Sequence, residues 1–335
     1  RPTLMCAVPR FWEKVYAGVH EKIAEMGFLQ RQMVKMALKA GRRRNLHYKR
    51  LGLPVPRWLE MRYQFFDRNI FARLRGAIGF DHPNIFPTAG APVSSELVDF
   101  FHSCGLFIMV GYGLSETTAT VTCFPVKDYE VGSVGTPLPE VEVRIGDNSE
   151  IQVKSPTVMR GYYNKPEATA EAFTADGWFR TGDAGYIDHN GALFITDRIK
   201  DLFKTSNGKY VAPQMIETRI GIDPLFEQIA VIGDSRKFVS ALIVPNMEML
   251  KALADKEGIA YDDPAQLLSS PRIHELIEKR LAKLQEGMAG YEKIKKFTLL
   301  PREFSMDRGE LTNTLKVKRR VVADHFADEI EKMYQ

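Results

Sequence analysis

Apolar positions recur at helical spacing from Phe11 to about Arg75, with breaks expected at Gly41 and at Leu53-Pro54-Val55-Pro56. Asn84-Ile85-Phe86-Pro87 then reads as a short strand entering the small-residue turn Ala89-Gly90-Ala91-Pro92. Ser94 or Ser95 is placed to cap a helix through Phe101, since a side-chain oxygen there accepts an orphan backbone N–H. Gly105 marks the end of that helix, and the apolar run from Leu106 to Val110 reads as a buried strand. Strand, turn, helix and strand in this order predict a parallel α/β layer.

After Cys123 the pattern shortens. Val141 to Ile145 and Ile151 to Lys154 alternate, and Asp188-His189-Asn190-Gly191 is a hairpin signal before the strand Ala192 to Thr196. Past Lys200, strands are predicted at Ile229 to Ile232 and Val239 to Val244, joined by a turn at Gly233-Asp234-Ser235. Helices are predicted over 246–257 and 271–286, and a last helix aligns Val322, Phe326, Ile330 and Met333 on one face. The expected fold class is α/β: residues 1–125 form part of a large α/β subdomain and residues 126–199 a β-rich subdomain. Residues 200–335 form a compact, mobile α+β domain.

Composition is that of a globular protein, 44% hydrophobic and 26% charged, and no apolar run is long enough to cross a bilayer. Cys6, Cys104 and Cys123 are odd in number and lack CxxC spacing. That argues against a disulfide framework or structural zinc and for a reducing, cytoplasmic compartment. Residues 31–50 carry eight Lys or Arg and no acid, which leaves about −4 on the rest of a chain of net +4. Arg31, Lys35 and Lys39 recur every four residues, so this basic amphipathic stretch reads either as a solvated helix face or as a peripheral contact with an anionic membrane surface. Aromatic residues are not interleaved with the charges, and nucleic acid is not expected as a partner. The chain opens on Arg1-Pro2 and runs at once into the strand-like stretch Thr3 to Val8, the expected look of a C-terminal fragment.

Candidate chemistry begins at Gly111-Tyr112-Gly113-Leu114-Ser115-Glu116, a loop at the carboxyl end of a buried strand, where α/β sheets bind ligands. Its third glycine position holds Glu116, so it is not a dinucleotide fingerprint, and no GxxxxGK[ST] occurs. Two glycines admit a nucleotide close to the backbone; Tyr112 offers a flat face, Ser115 a hydroxyl, and Glu116 a hard oxygen for Mg²⁺. Core packing by Tyr112 and a helix N-terminal role for Ser115 and Glu116 explain the same residues. In Trp178-Phe179-Arg180-Thr181-Gly182-Asp183, an acid follows a glycine at a predicted strand end; it serves as a turn carboxylate or as an acceptor for a ribose diol.

The ordered set from Tyr112 through Asp183 to Asp197-Arg198-Ile199-Lys200-Asp201 resembles the adenylate-forming superfamily, and within it the long-chain fatty acyl-CoA synthetases. The resemblance implies that Gly90, Ala91 and Pro92 flank adenine, that Gly111, Tyr112, Gly113, Ser115 and Glu116 bind adenine, phosphate and metal, and that Asp183 anchors the ribose. It makes Arg198 and Lys204 nucleotide contacts and Lys200 the hinge. Ser206, Asn207 and Gly208 become part of a coenzyme A tunnel. Lys316, in Leu311-Thr-Asn-Thr-Leu315-Lys316-Val-Lys318, matches the lysine that bridges the substrate carboxylate and the α-phosphate, with Lys318 as its rival and Leu315 where many members have glycine. Val8-Pro9-Arg10-Phe11-Trp12 is similar to a fatty-acid gate segment, with Trp12 either the gate or a core residue.

The implied reaction converts a long-chain fatty acid and MgATP into acyl-AMP and pyrophosphate, then passes the acyl group to coenzyme A. ATP, Mg²⁺ and coenzyme A are the implied substrates and metal, with no tightly bound prosthetic group. The family's upstream phosphate loop has no counterpart here, so these 335 residues alone are expected to be inactive in adenylation. Another carboxylic acid, a carrier-protein acceptor, or a noncatalytic binding protein are the alternatives.

Overall fold

The computed structural model describes residues 2–82, 85–312 and 316–335; Asn84, the expected start of the first strand, and Leu315 lie outside them. The chain divides into two compact units, Arg1–Thr196 and Asp197–Gln335.

The first unit opens with the helices α1 (Pro9–Glu25), α2 (Phe28–Arg42), α3 (Arg57–Phe66) and α4 (Ala72–Ala77). Gly41 does not interrupt α2, which runs past it into a π-helical stretch, Arg43–Lys49. The expected break fails because Gly41 serves packing: a Cβ there would sit 2.1 Å from the Ser103 carbonyl oxygen. The Pro54 and Pro56 segment does end the helical run, because proline cannot continue one.

Strand β1 (Phe86–Thr88), helix α5 (Ser95–Ser103) and strand β2 (Ile108–Tyr112) follow in the expected order. Ser94 caps α5, its Oγ accepting from the Leu97 N–H at 3.2 Å. The two strands pair in parallel, Phe86 with Ile108 and Thr88 with Val110. The N-terminal stretch lies beside β1 through bridges Leu4–Ile85 and Ala7–Thr88. Short antiparallel strands β3 (Thr122–Cys123) and β4 (Thr136–Pro137) complete the sheet in the order β1-β2-β3-β4. Its core gathers Trp12, Leu59, Phe71, Phe86, Phe101 and Ile108. A second sheet, β5 (Glu142–Ile145), β6 (Glu150–Lys154), β7 (Phe179–Ile187) and β8 (Leu193–Arg198), carries α6 (Pro166–Glu171) in the connection between β6 and β7.

The second unit holds the hairpin β9 (Phe203–Lys204) and β10 (Tyr210–Val211), then α7 (Pro213–Ile220), β11 (Phe226–Ile232) and β12 (Val239–Pro245). Helices α8 (Met247–Glu257), α9 (Pro264–Ser269) and α10 (Pro271–Leu284) lead to β13 (Ile294–Leu299), and α11 (Arg319–His325) and α12 (Ala327–Tyr334) end the chain. Central β12 pairs antiparallel with β11 and parallel with β13, and every one of its residues is buried. Helices cover both faces, which is why the strand reads as a nearly continuous apolar run. Ile229, Val231, Ala241 and Ile243 face one core, and Ala230, Ile232, Leu242 and Val244 face the other. The last helix is two rather than one. The backbone kinks at Phe326 (φ −117°, ψ 32°), yet Val322, Phe326, Ile330 and Met333 all reach the same core.

Close approach of α2 to the end of α5 makes Gly41→Ala destabilising by about 2 kcal/mol, the usual scale for overpacking. Gly18→Ala in α1, where a Cβ meets nothing within 4 Å, stabilises by roughly 0.5 kcal/mol through helix propensity. Urea unfolding of both variants checks the pair, and equal effects would contradict the packing account.

Candidate functional site

Parallel pairing of β1 and β2 sends the loops that leave both strands to the same edge of the sheet. The turn through Gly90, Ala91 and Pro92 leaves β1, and Gly113 through Glu116 leave β2. Gly111 and Tyr112 are the last residues of β2 itself. Ser115–Thr117 form one 3₁₀ turn, held by the Thr117 Oγ1, which donates to the Leu114 carbonyl and accepts from its N–H, both at 3.0 Å.

Asp183 lies within β7, not at a strand end as the sequence suggested. Gly182 takes φ +71° just before it, and the pairing of β6 with β7 shifts register between Glu150 and Gln152. This bulge re-aims the carboxylate, a common use of such irregularities. Asp183 is 6% exposed, and its Oδ2 accepts a hydrogen bond of 2.6 Å from the Tyr112 hydroxyl. Its own N–H donates to Thr181 Oγ1 at 3.1 Å. Two motifs far apart in sequence thus meet in one buried contact.

Glu116 is half-buried, and its Oε1 accepts from the Tyr162 hydroxyl at 3.0 Å. Partial burial and then this hydrogen bond to a carboxylate push the Tyr162 phenol up, so it stays a donor. The Met159 N–H also donates to the Glu116 carbonyl at 2.7 Å. Nothing in the sequence around Tyr162 pointed to Glu116. Among the described residues no cluster of three His, Cys, Asp or Glu could hold a metal. A single carboxylate suits Mg²⁺, which keeps water and phosphate as its other ligands.

Trp12 is not brought to this loop edge. It is wholly enclosed, with Phe11, Phe80, Phe86 and Phe101 rings within 5.6 Å, and its Nε1–H has no partner among the described residues. Its surroundings in this unit are those of a core tryptophan. The three cysteines are free, and burial pushes the Cys104 and Cys123 thiols up, away from nucleophilic use.

In the second unit, exposed Arg198 and Lys200 bracket a turn in which the Asp201 and Leu202 N–H groups both donate to the Arg198 carbonyl at 2.9 Å. Asp197, 2% exposed, accepts from the Arg198 N–H at 2.7 Å and the Gln214 N–H at 3.0 Å, the latter at the start of α7. Burial raises its carboxyl, against the pull of these bonds. Lys204 lies with its Nζ 5.5 Å from the Tyr210 ring centre. The loop holding Ser206, Asn207 and Gly208 looks flexible in composition but is a pinned hairpin. Thr205 N–H donates to Lys209 O at 2.9 Å, and Ser206 N–H to Arg236 O at 2.9 Å.

Lys316 is half-buried, its N–H bonded to Thr312 Oγ1 at 3.0 Å and its carbonyl accepting from the Thr312 N–H at 2.8 Å. The segment is anchored by Glu310, which sequence reading passed over. Glu310 is fully buried, paired with both Arg302 amino groups (3.0 and 2.8 Å), Arg308 Nε (3.1 Å) and His325 Nδ1 (2.9 Å). Its carbonyl accepts from the Lys318 N–H at 2.7 Å. Burial alone would raise its carboxyl, but the bonds from Arg302, His325, the Ser305 N–H and Arg308 prevail and hold it at about 2.

A carboxyl depressed from 4.5 to about 2 stabilises the fold fully above its ordinary value, and that stability is lost as pH falls between the two. The stability difference between the native chain and Glu310→Gln therefore shrinks across that window. Urea unfolding at stepped pH measures it; a difference constant with pH would contradict the ionised anchor.

Comparison with known proteins covers both units. The profile of the AMP-binding enzymes matches residues 1–163, and that of the AMP-binding enzyme C-terminal domain matches residues 200–335. A long-chain-fatty-acid–CoA ligase of Mycobacterium bovis is 36% identical over the whole chain, and the chain spans 55% of its length. A peroxisomal long chain acyl-CoA synthetase of Arabidopsis thaliana is 29% identical and is spanned to 49%. The chain thus spans about half the length of the curated relatives it matches. The crystal structure of the adenylation domain of a carboxylate reductase from Mycobacterium chelonae superposes with a TM-score of 0.69 at 24% identity, covering 99% of this chain and 46% of that one. That likeness establishes the fold. With both parts of the sequence matched in order, the chain belongs to the adenylate-forming family of AMP-binding enzymes.

Proposed function

We propose that the protein carrying this chain is an AMP-forming long-chain fatty acid–CoA ligase. The contact between Tyr112 and Asp183 at 2.6 Å carries the reading. It joins a ring suited to a base and an acid suited to a ribose diol at the loop edge of a parallel pair. The names of the relatives supply the substrate class.

In this reading Gly90, Ala91 and Pro92 flank adenine, Asp183 takes the ribose hydroxyls, and Ser115 meets phosphate. Each carboxylate oxygen has two acceptor sites, so a bond from Tyr112 does not by itself exclude a sugar hydroxyl at Asp183. Mg²⁺ at Glu116 would neutralise phosphate charge, with Tyr162 orienting the carboxylate. Arg198 and Lys204 are assigned to the nucleotide and Lys316 to the reacting groups. A fatty acid carboxylate oxygen attacks the α-phosphorus, the bond from that phosphorus to the bridging oxygen breaks, and pyrophosphate leaves. Lys316 stabilises the charge that develops as this happens. Rotation about Lys200 then withdraws Lys316, and the loop of Ser206, Asn207 and Gly208 lines the approach of coenzyme A. Its thiol attacks the acyl carbon, loses its proton and expels AMP. Such domain rotation is a known route to two reactions in one site.

In the full-length protein, Lys316→Ala lowers fatty-acid-dependent ATP–pyrophosphate exchange about a hundredfold or more while supplied acyl-AMP is still converted with coenzyme A. Equal loss of both half-reactions overturns the role of Lys316. A panel of fatty acids of increasing length, run with ATP and coenzyme A, tests the substrate class.

A further inference from the structure

Lys316 stands in a short loop that is fastened on both legs. Leu311 and Val317 form an antiparallel bridge at its base, and just outside it the Lys318 N–H donates to the Glu310 carbonyl at 2.7 Å. Lys316 lies one residue inside the bridge, tied to Thr312 by bonds of 2.8 and 3.0 Å. Leu311 is buried in the core that holds Val322 of α11 and Phe326 at the kink.

Ionic anchors flank that bridge. The Glu310 carboxylate gathers groups from both sides of Lys316 in sequence. Arg302, Arg308 and the Ser305 N–H come from the approach, whereas His325 is the last residue of α11. One buried carboxylate therefore closes a ring of chain, from 310 to 325, that contains Lys316. On the outgoing leg, Arg319 donates to Glu217 Oε1 at 2.7 Å and to the Val231 carbonyl at 3.0 Å. Glu217 Oε1 also accepts from the Val231 N–H at 2.8 Å, which fixes this leg to α7 and β11. Neither anchor can shift along the chain without losing several bonds.

On the ligase reading, and on the role it gives Lys316, we propose that Glu310 is a positioning residue for the first half-reaction. It sets the loop that brings Lys316 to the substrate carboxylate and the α-phosphate, and it has no part in the transfer to coenzyme A. Lysine carries a compact charge on a flexible four-carbon stem, so its backbone must be held by other residues. A misplacement of about 1 Å at a reacting centre costs on the order of a hundredfold in rate. Apolar side chains of the same volume would serve stability as well as a buried ionic cluster does. What the cluster adds is direction, because its donors reach Glu310 from separate segments of chain.

The experiment uses the full-length protein and follows fatty-acid-dependent ATP–pyrophosphate exchange beside conversion of supplied acyl-AMP with coenzyme A. Glu310→Gln is expected to lower kcat of the exchange about a hundredfold. KM for ATP and the rate of acyl-AMP conversion stay within about twofold of native. Loss of folded protein would lower both half-reactions alike, so the split separates positioning from stability. In the Lys316→Ala background, Glu310→Gln lowers exchange no further, as expected of two residues acting as one unit. Should Glu310→Gln fail to fold, Glu310→Asp keeps the charge but withdraws it by one methylene, and loses about tenfold in exchange alone. Equal loss in both half-reactions, undiminished exchange in a folded variant, or a further loss on top of Lys316→Ala overturns the proposal and leaves the ligase reading intact. A native protein without fatty-acid-dependent exchange overturns that reading, and the proposal falls with it.

Discussion

The parallel pairing of β1 with β2 is the constraint on which the first unit depends. Fixing Thr88 opposite Val110 brings two loops, otherwise separated by α5, to one edge of the sheet. A parallel pair needs a crossover, and α5 supplies it, capped by Ser94 and buried along most of its length. The Thr88 hydroxyl then donates to the Ala7 carbonyl at 2.8 Å and ties the N-terminal stretch to the same strand. Tyr112 at the end of β2 is therefore held from its backbone side before its hydroxyl meets Asp183. The second sheet contributes through one irregularity, the bulge before Asp183.

Charge does in the second unit what strand pairing does in the first. Glu310 is buried among cations and backbone donors, and its removal leaves Arg302, Arg308 and His325 without their common partner. Losing one side of a buried ionic group is far more damaging than replacing the whole group with apolar side chains. Glu217 and Arg319 repeat the arrangement at 2.7 Å, tying α7 to the first residue of α11. The chain on either side of Lys316 is thus held by ions as well as by the antiparallel bridge of Leu311 with Val317.

Much of this was legible in the residues. The apolar run of β12, a cap at Ser94 or Ser95, and the helix from about residue 246 all follow from local pattern, and the structure places them accordingly. What escaped depended on distant neighbours. Gly41 reads as a helix breaker until Ser103 is seen against it, and Asp183 reads as a strand end until β6 pairs past it. The kink at Phe326 preserves the apolar face, so periodicity could not reveal it. Glu310 carries no local signal because its partners lie at 302, 308 and 325. Tyr162 likewise met Glu116 only through folding.

Asp197 acts as a clasp inside the second unit. Its buried carboxylate accepts from the Arg198 N–H beside it and from the Gln214 N–H at the start of α7. The chain between those two donors carries the hairpin of β9 and β10, so that hairpin is a loop tied off at its base by one side chain. A knot of this kind shortens the free length of the loop without adding a strand to any sheet, and the entropy of the segment is spent at a single carboxylate.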